Sequence, residues 1–555
     1  MTAEPMDGAA PAAPAAADEQ TRFKVGGAYA WYVLAVATVI CGFSLFDRQV
    51  MSIVAGSVKA DLHLSNTDMG ILSGTVFAVF YAIFGIPLGR LADGWNRSKL
   101  LAIAVSGWSV AAMLCGVASS FAMFAFARAG VAVGEAMANP AAYSVLSDWF
   151  PRKTRATAIA IYSAGIAFGI GFSQILGGWI LDAWKAVYPT GVGAFGLHGW
   201  QIVFLGIGAP GVLIGLWTLT LKEPPRGLSD GTPQPNVARP LAAAWGEFLA
   251  VLPLTCQWRL WRLGAKPRDV ALSLAVLAVI VLAAVGMTHF TQSLVATKLP
   301  TMIQLGPLAL TSHGVEWATI GLGLAVILGW VQSLKQADRP TYKLLWGNPQ
   351  MIAMTVASAL YMTQTYGLTF WSAQYAIIHF HATPGQVGLW LGLVMGGVGL
   401  VGTLLAGPVA DFALKFSPRG RVYVSFAVMI AVWPLAVLTF ASTTFNQFLV
   451  TYSFLSFATV IWLPGVAATG QDLVMPRMRG AAAATYNLAA SMFGLGLGPF
   501  LVGLISDKTG SISQGILTVY WLSPLVWIAM FILVKGLPKA EATRLERARA
   551  AGEPV

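Results

Sequence analysis

Apolar stretches long enough to cross a bilayer recur along this chain in two sets of six, and charge is confined almost entirely to the short segments between them. A helix needs about 20 apolar residues to span the hydrocarbon core. On that criterion the pattern predicts spans near 30–54, 69–90, 99–118, 121–146, 156–181 and 200–221. A second set follows near 350–378, 385–411, 421–441, 447–472, 480–505 and 514–535, and between the sets lie two further stretches, near 270–290 and 314–333. The expectation is an all-α polytopic membrane protein with about fourteen spans. Residues 241–263, which mix Trp, Leu and Arg with Glu247 and Pro253, predict an amphipathic helix on the membrane surface rather than a span. The extra pair is nearly free of internal polar groups and is expected to pack at the periphery.

Composition agrees: the 555 residues are 57% hydrophobic and 10% charged, with a mean hydropathy of +0.69, against about 25% charged in soluble domains. The net charge of +11 does not predict nucleic-acid binding, because the basic residues sit in short loops. Arg97/Lys99, Arg152/Lys153/Arg155, Lys222/Arg226, Lys335/Arg339/Lys343, Lys415/Arg419/Arg421 and Arg477/Arg479 fall on one side, with both tails; the other side has few, such as Lys59, Lys185, Lys298 and Lys508. The basic side is expected to be cytoplasmic, in the inner membrane of a bacterium. The Ala/Pro-rich start lacks the features of a signal peptide and is expected to be a disordered tail. Cys41, Cys115 and Cys256 form no disulfide framework, and the six histidines show no metal spacing. Neither metal nor cofactor is expected.

The two six-span sets repeat each other. Gly89 and Asp93 bracket the end of the second span as Gly407 and Asp411 bracket its counterpart, Pro151 answers Pro476, Tyr162 answers Tyr486, and Asp182 answers Asp507. The offsets run from 318 residues (Gly89 to Gly407) to 325 (Asp182 to Asp507). A repeat of six-helix units is a transporter architecture, with sites between the halves near mid-membrane. The expected organisation is a tail over 1–29, an N-terminal bundle over 30–222, an inserted segment with the extra spans over 223–348, a C-terminal bundle over 349–537 and a tail over 538–555.

Four charges lie inside otherwise uncharged stretches: Asp47, Arg48, Arg128 and Glu135. At the bilayer centre each costs about 2.5–3.5 kcal/mol on insertion scales, so such groups usually face a water-filled path. At 1.5 Å per residue, Asp47 and Arg128 reach similar depths from opposite ends of their helices, and a salt bridge between them is expected. Glu135 follows Arg128 by seven residues and shares its helix face. Burial favours the neutral form of Glu135 and a nearby arginine favours the charged one, so Glu135 is the expected proton-coupling acid, with Asp47 as a second site. Arg48 and Arg128 would hold an anionic head group. Tyr162 lies in the same half, and the second half offers Tyr361, Gln364, Tyr366, Trp462, Tyr486 and Asn487, an aromatic and neutral wall suited to an apolar body.

Gly89, Asp93, Gly94, Arg97 and Lys99 resemble the signature loop of the major facilitator superfamily, with Asn96 in place of a usual glycine. Phe46-Asp47-Arg48, Arg128 through Glu135, Pro140 through Pro151 and Gly199 through Gly211 resemble more narrowly its spinster branch. The resemblance implies the major facilitator fold, two six-helix bundles plus the inserted pair, and gating roles for Asp93, Arg97 and Asp411. It implies a monomeric secondary active transporter, not an enzyme, moving an amphipathic or anionic small molecule (lysolipid-like) with protons by alternating access. A hexuronate or carboxylate symporter is the alternative, and a non-transporting receptor a lesser one. Ser173-Gln174 replaces the Gly-Pro of an antiporter signature, and the surrounding glycines are expected to serve close helix packing.

Overall fold

The computed structural model describes residues 23–230, 239–262, 264–295, 301–306 and 308–553. Residues 1–22 of the expected tail and Lys298 lie outside them. Thirteen helices among the described residues are long and apolar enough to cross a membrane. The N-terminal bundle comprises α1 (Ala28–Asp61), α2 (Asn66–Gly94), α3 (Arg97–Gly116), α4 (Phe121–Trp149), α5 (Arg152–Val187) and α6 (Gly199–Thr218). Between the bundles come α7 (Pro240–Val251), α8 (Thr255–Arg262), α9 (Pro267–Ser293), a hairpin of β1 (Thr301–Leu305) and β2 (Leu308–Thr311), α10 (Ser312–Ala337) and α11 (Arg339–Trp346). The C-terminal bundle comprises α12 (Pro349–His379), α13 (Pro384–Ala413), α14 (Gly420–Phe440), α15 (Phe445–Asp472), α16 (Pro476–Thr509) and α17 (Ile512–Ala542), followed by α18 (Arg544–Ala550). Of these, α12 is long enough to span at 31 residues but carries buried Thr355, Ser358, Thr363, Gln364, Ser372 and Gln374, which lower its hydropathy.

The bundles pack by the same rule. Within the first, α1 lies on α5, α2 on α4, and α3 between α4 and α6; within the second, α12 lies on α17, α13 on α15, and α14 on α15. The halves meet through α1 with α12, α2 with α16 and α5 with α13. Small residues let the backbones touch, as helices in lipid require. A Cβ added at Gly178 of α5 would lie 2.2 Å from the Pro384 carbonyl oxygen of α13, and one at Gly74 of α2 would lie 2.4 Å from that of Leu495 in α16. Gly169 and Gly177, in the glycine-rich stretch of α5, similarly abut Gly42 and Ile53 of α1.

Hydrogen bonds join the halves toward the face opposite the basic loops. Asp182, near the end of α5, accepts from the Thr383 hydroxyl (2.6 Å) and the Gly385 amide (2.9 Å) at the start of α13. Asp507, near the end of α16, accepts from the amides of Asn66 (3.0 Å) and Thr67 (2.7 Å) and the Thr67 hydroxyl (2.6 Å) at the start of α2. Each carboxylate thus caps the N-terminus of a helix in the other half, where amides lack partners and the dipole favours negative charge. Deeper, Gln374 Nε2 of α12 donates to the Ser52 (3.0 Å) and Ile53 (3.1 Å) carbonyls, and the Ser52 hydroxyl donates to the Phe370 carbonyl (2.8 Å). The face opposite the basic loops is therefore sealed. Toward the basic face, Tyr143 of α4 and Asn487 of α16 remain exposed.

The insertion departs from expectation in two ways. Residues 241–263 divide: α7 buries Ala250 and Val251 against α2 and α10, and only α8 is a surface helix, with Trp258 and Trp261 exposed and the Arg262 guanidinium 3.9 Å from the Trp258 ring centroid. The helix pair is not wholly peripheral. Helix α9 is almost entirely exposed, but α10 packs against α2 and α16 and buries Ser312, His313 and Glu316. Its buried polar residues lie in its first two turns, where the sequence reads as a helix end.

Candidate functional site

The charges of α1 and α4 meet near the middle of the first bundle. Arg48 donates through Nη2 to Glu135 Oε2 at 2.6 Å, and the Ser44 hydroxyl donates to the same oxygen at 2.7 Å. The Glu135 side chain is fully buried, whereas that of Arg48 is 18% exposed. Ser44 precedes Arg48 by one helical turn and so presents on the same face. The Arg48 Cζ lies 4.5 Å from the Phe77 ring centroid and 5.3 Å from that of Tyr81, both on α2. Tyr366 of α12 also lies within electrostatic reach of Arg48.

The expected salt bridge between Asp47 and Arg128 is not formed. Arg128 donates instead to the backbone carbonyls of Asp47 and Leu72, each at 3.4 Å, and its Cζ lies 5.3 Å from the Phe77 centroid. Both carboxyl oxygens of Asp47 are buried without a hydrogen-bond partner among the described residues, as is Arg128 Nη2. Arg128 reaches the Asp47 backbone, but neighbouring residues on a helix point about 100° apart. The rotation of α1 aims Arg48, rather than Asp47, at the acid on α4. Phe77 stands between the two guanidinium groups and offers its ring to both.

The remaining expected contact residues separate into two groups. Tyr162 of α5 is buried and donates to Asn139 Oδ1 at 2.6 Å, with its ring 5.2 Å from that of Tyr143. From the second bundle Tyr366 comes near Arg48 and Tyr486 near Tyr143, and Asn487 is exposed. Tyr361, Gln364 and Trp462 turn into the second bundle instead. The Tyr361 and Trp462 rings meet edge to face at 5.1 Å, and Gln364 Nε2 donates to the Ser523 hydroxyl of α17 at 3.1 Å. Ser44, Phe77, Tyr81, Asn139 and Tyr143 join the site without having been marked in the sequence; small polar or aromatic residues within apolar spans carry no signal that separates them from packing.

The three expected gating residues also part company. Arg97, 1% exposed, does not pair with Asp93. It forms an ion pair with Asp148 and donates to Glu223 Oε1 (2.7 Å), the Ser144 hydroxyl (2.8 Å) and the Pro224 carbonyl (2.7 Å). The end of α4 and the turn after α6 thus offer one guanidinium a full set of acceptors in a buried pocket. Asp93 is left in a solvent-exposed contact with Arg90 at 3.8 Å. In the second bundle Asp411 does pair, with Arg421 at 2.7 Å, and Arg421 also reaches Asp472 at 3.4 Å. Arg421 and Asp472 are the counterparts of Arg97 and Asp148, each 324 residues on. All these contacts stay within one bundle, which fits a structure whose halves are separated at the basic face.

A sequence model of the Major Facilitator Superfamily matches residues 34–378. The chain is 25% identical over 496 residues to an MFS-type efflux pump of Mycolicibacterium smegmatis, covering 89% of this chain and 88% of that one. It is 28% identical over 324 residues to a gallate transporter of Pseudomonas putida, covering 56% and 68%. Its fold is similar to the crystal structure of a bacterial homologue of the human lysosomal transporter Spinster in an inward-facing, unoccupied conformation, with a TM-score of 0.62, 22% identity and coverage of 95% and 97%. The repeated bundles, the charge clusters they share and the family match over most of the chain lead to one conclusion: this protein belongs to the Major Facilitator Superfamily and is a polytopic membrane transporter.

Proposed function

We propose that this protein is a proton-coupled carrier of organic anions with an apolar body, monomeric in the inner membrane of a bacterium, with its basic face and both termini in the cytoplasm. The positive-inside distribution of the loops supports that orientation, and on it the structure is inward-facing. The observation that carries the coupling is the Arg48–Glu135 pair at 2.6 Å. A guanidinium binds a substrate carboxylate or phosphate as readily as it binds Glu135. While Glu135 is ionised it occupies Arg48; a proton on Glu135 cancels that charge and frees Arg48 for the substrate anion. Proton and anion then bind together, and once both have left, the ionised Glu135 pairs with Arg48 again. The walls supplied by Phe77, Tyr81, Tyr162 and Tyr366 suit a ring or chain attached to the charged head. Asp47 and Arg128 hold the α1–α4–α2 junction through Arg128 and supply the second ionisable carboxyl.

The test is thermal stabilisation of the purified protein by a ligand panel at about pH 5.5 and about pH 7.5, spanning the range in which a coupling acid changes charge. The panel pairs aromatic and sugar acids with lysophospholipids. A larger shift at the lower pH, lost in Arg48→Ala, is expected for any anion that is carried. The arm that responds identifies the body. No response to any anion, or an equal response in Arg48→Ala, contradicts the reading.

A further inference from the structure

The inserted helix α10 carries the acid that the site above does not use. Glu316 is completely buried, and its Oε1 lies 2.7 Å from the Thr75 hydroxyl of α2. The same hydroxyl lies 3.0 Å from the Gly496 carbonyl oxygen of α16. A threonine hydroxyl has one hydrogen to donate. Two acceptors at these distances are both satisfied only when Glu316 bears the second hydrogen: its O–H donates to Thr75, and Thr75 donates to Gly496. Among the described residues Glu316 Oε2 has no partner, so the closed packing there has room for the neutral acid and no group that compensates a charge. One turn nearer the sealed face, His313 is also completely buried, and among the described residues neither ring nitrogen is hydrogen-bonded and the buried Asp68 Oδ1 and Ser312 hydroxyl are unpaired.

These groups lie on the seam between α2 and α16, which the Asp507 clasp closes at its outer end. Thr75 ends a π-helical segment, Ile71–Thr75, and Gly496 lies in another, Ala490–Leu497. Such segments break the regular helix ladder and recur at functional sites. The first also presents the Leu72 carbonyl to Arg128, so one short stretch of α2 touches both the central charges and the acid of the insertion. The charged groups acting on His313 are Asp68 of α2 and Asp507 of α16. Lys59 at the end of α1 donates to Asn66 (2.5 Å), and His289 of α9 lines the lipid-facing groove beside Gly314. At the far end of α10 the charges are Lys335 with Asp269 of α9, and Arg259 of α8.

We infer that Glu316, with His313 above it, is a further proton-binding site, apart from the central charges, built by the inserted helix on the α2–α16 seam, and that this seam opens outward only when Glu316 gives up its proton. The inference rests on the inward-facing orientation proposed above. Bound proton, Thr75 and Gly496 form one chain of donors across the seam; without that proton the chain is one hydrogen short, and the carboxylate draws water in.

The experiment measures the distance between spin labels at Ala60 of α1 and Lys508 of α16, both exposed, in lipid nanodiscs after replacement of Cys41, Cys115 and Cys256 by alanine. Between about pH 5.5 and about pH 8 the unmodified background is expected to gain a longer-distance population, at least about threefold, as the proton dissociates. Glu316→Gln, which keeps a neutral donor on Thr75, is expected to hold the short distance at both pH values. Thr75→Val, which cannot relay the hydrogen bond, is expected to show the longer population already at the lower pH. The distance readout needs neither substrate nor gradient, so failure of the central coupling reading, seen in transport, stays separate from failure here. A pH response in Glu316→Gln equal to that of the background, or none in the background, overturns the inference.

Discussion

Arg48 and Glu135 hold each other at 2.6 Å, with the Ser44 hydroxyl on the same carboxylate oxygen, and the consequences of breaking the pair are unequal. Removing one partner of a buried pair leaves the other uncompensated, a loss of about 3–5 kcal/mol in the cases studied. Glu135→Ala is therefore expected to lower thermal stability more than Glu135→Gln, whose amide still accepts from Ser44 and Arg48; a melting curve of each distinguishes them. Arg48→Lys is expected to keep measurable anion binding, and Arg48→Ala to lose at least about tenfold in affinity, or ~1.4 kcal/mol. The four central charges were legible in the sequence because each interrupts an apolar run. Their partners were not, because depth along a helix does not give rotation about it. Glu316 escaped notice for a different reason: two residues inside its apolar stretch, it reads as the polar end of a span, and only the packing of α10 against α2 shows it to be interior.

Among the elements, α5 with α13 and α2 with α16 form two related seams, each with backbone against backbone and an aspartate capping the opposite helix. A side chain at Gly178 cannot fit beside the Pro384 carbonyl. Gly178→Leu is expected to hold the seam apart and shift the protein toward the opposite conformation, read as increased labelling of an introduced cysteine at Ser57, beside α5, by a membrane-impermeant maleimide. Asp182→Asn weakens the cap without adding bulk, and its expected effect on the same readout is smaller, since a charge at a helix N-terminus contributes about 0.3–1 kcal/mol. Span existence and order were readable from apolar length, and Asp182 and Asp507 stood out as repeat partners. Their role did not, since capping a helix in the other half is a tertiary fact. The β1–β2 hairpin was also missed, because Thr301–Leu305 and Leu308–Thr311 are short apolar runs that resemble the flanks of adjoining spans.

The whole molecule is two bundles joined at the face opposite the basic loops, with the insertion and the C-terminal segment tied to the second bundle at the basic face. Arg477, at the start of α16, binds Asp338 at the end of α10 at 2.5 Å and also pairs with Glu553. The expected C-terminal tail is thus helical as α18 and folded back. Hydrogen bonding from Arg477 holds the Asp338 carboxyl down at about 2, against about 3.9 for an ordinary aspartate. Because the pKa is depressed in the folded state, the stabilisation is fully present above about pH 4 and fades as pH falls toward about 2. Asp338→Asn is expected to lower the melting temperature slightly at neutral pH, by a few degrees at most for so exposed a contact, and to flatten its acid dependence; an identical acid profile would assign the latch no role.

Coupling at the Arg48–Glu135 pair is tested most directly in proteoliposomes containing Glu135→Gln, with a carried anion identified by the ligand panel. Two fluxes are compared: accumulation driven by an imposed pH gradient, and exchange of labelled for unlabelled substrate without a gradient. The pair predicts that gradient-driven accumulation disappears while exchange persists, because a permanently neutral residue leaves Arg48 available for the anion but carries no proton. Accumulation equal to that of the unmodified protein would contradict it.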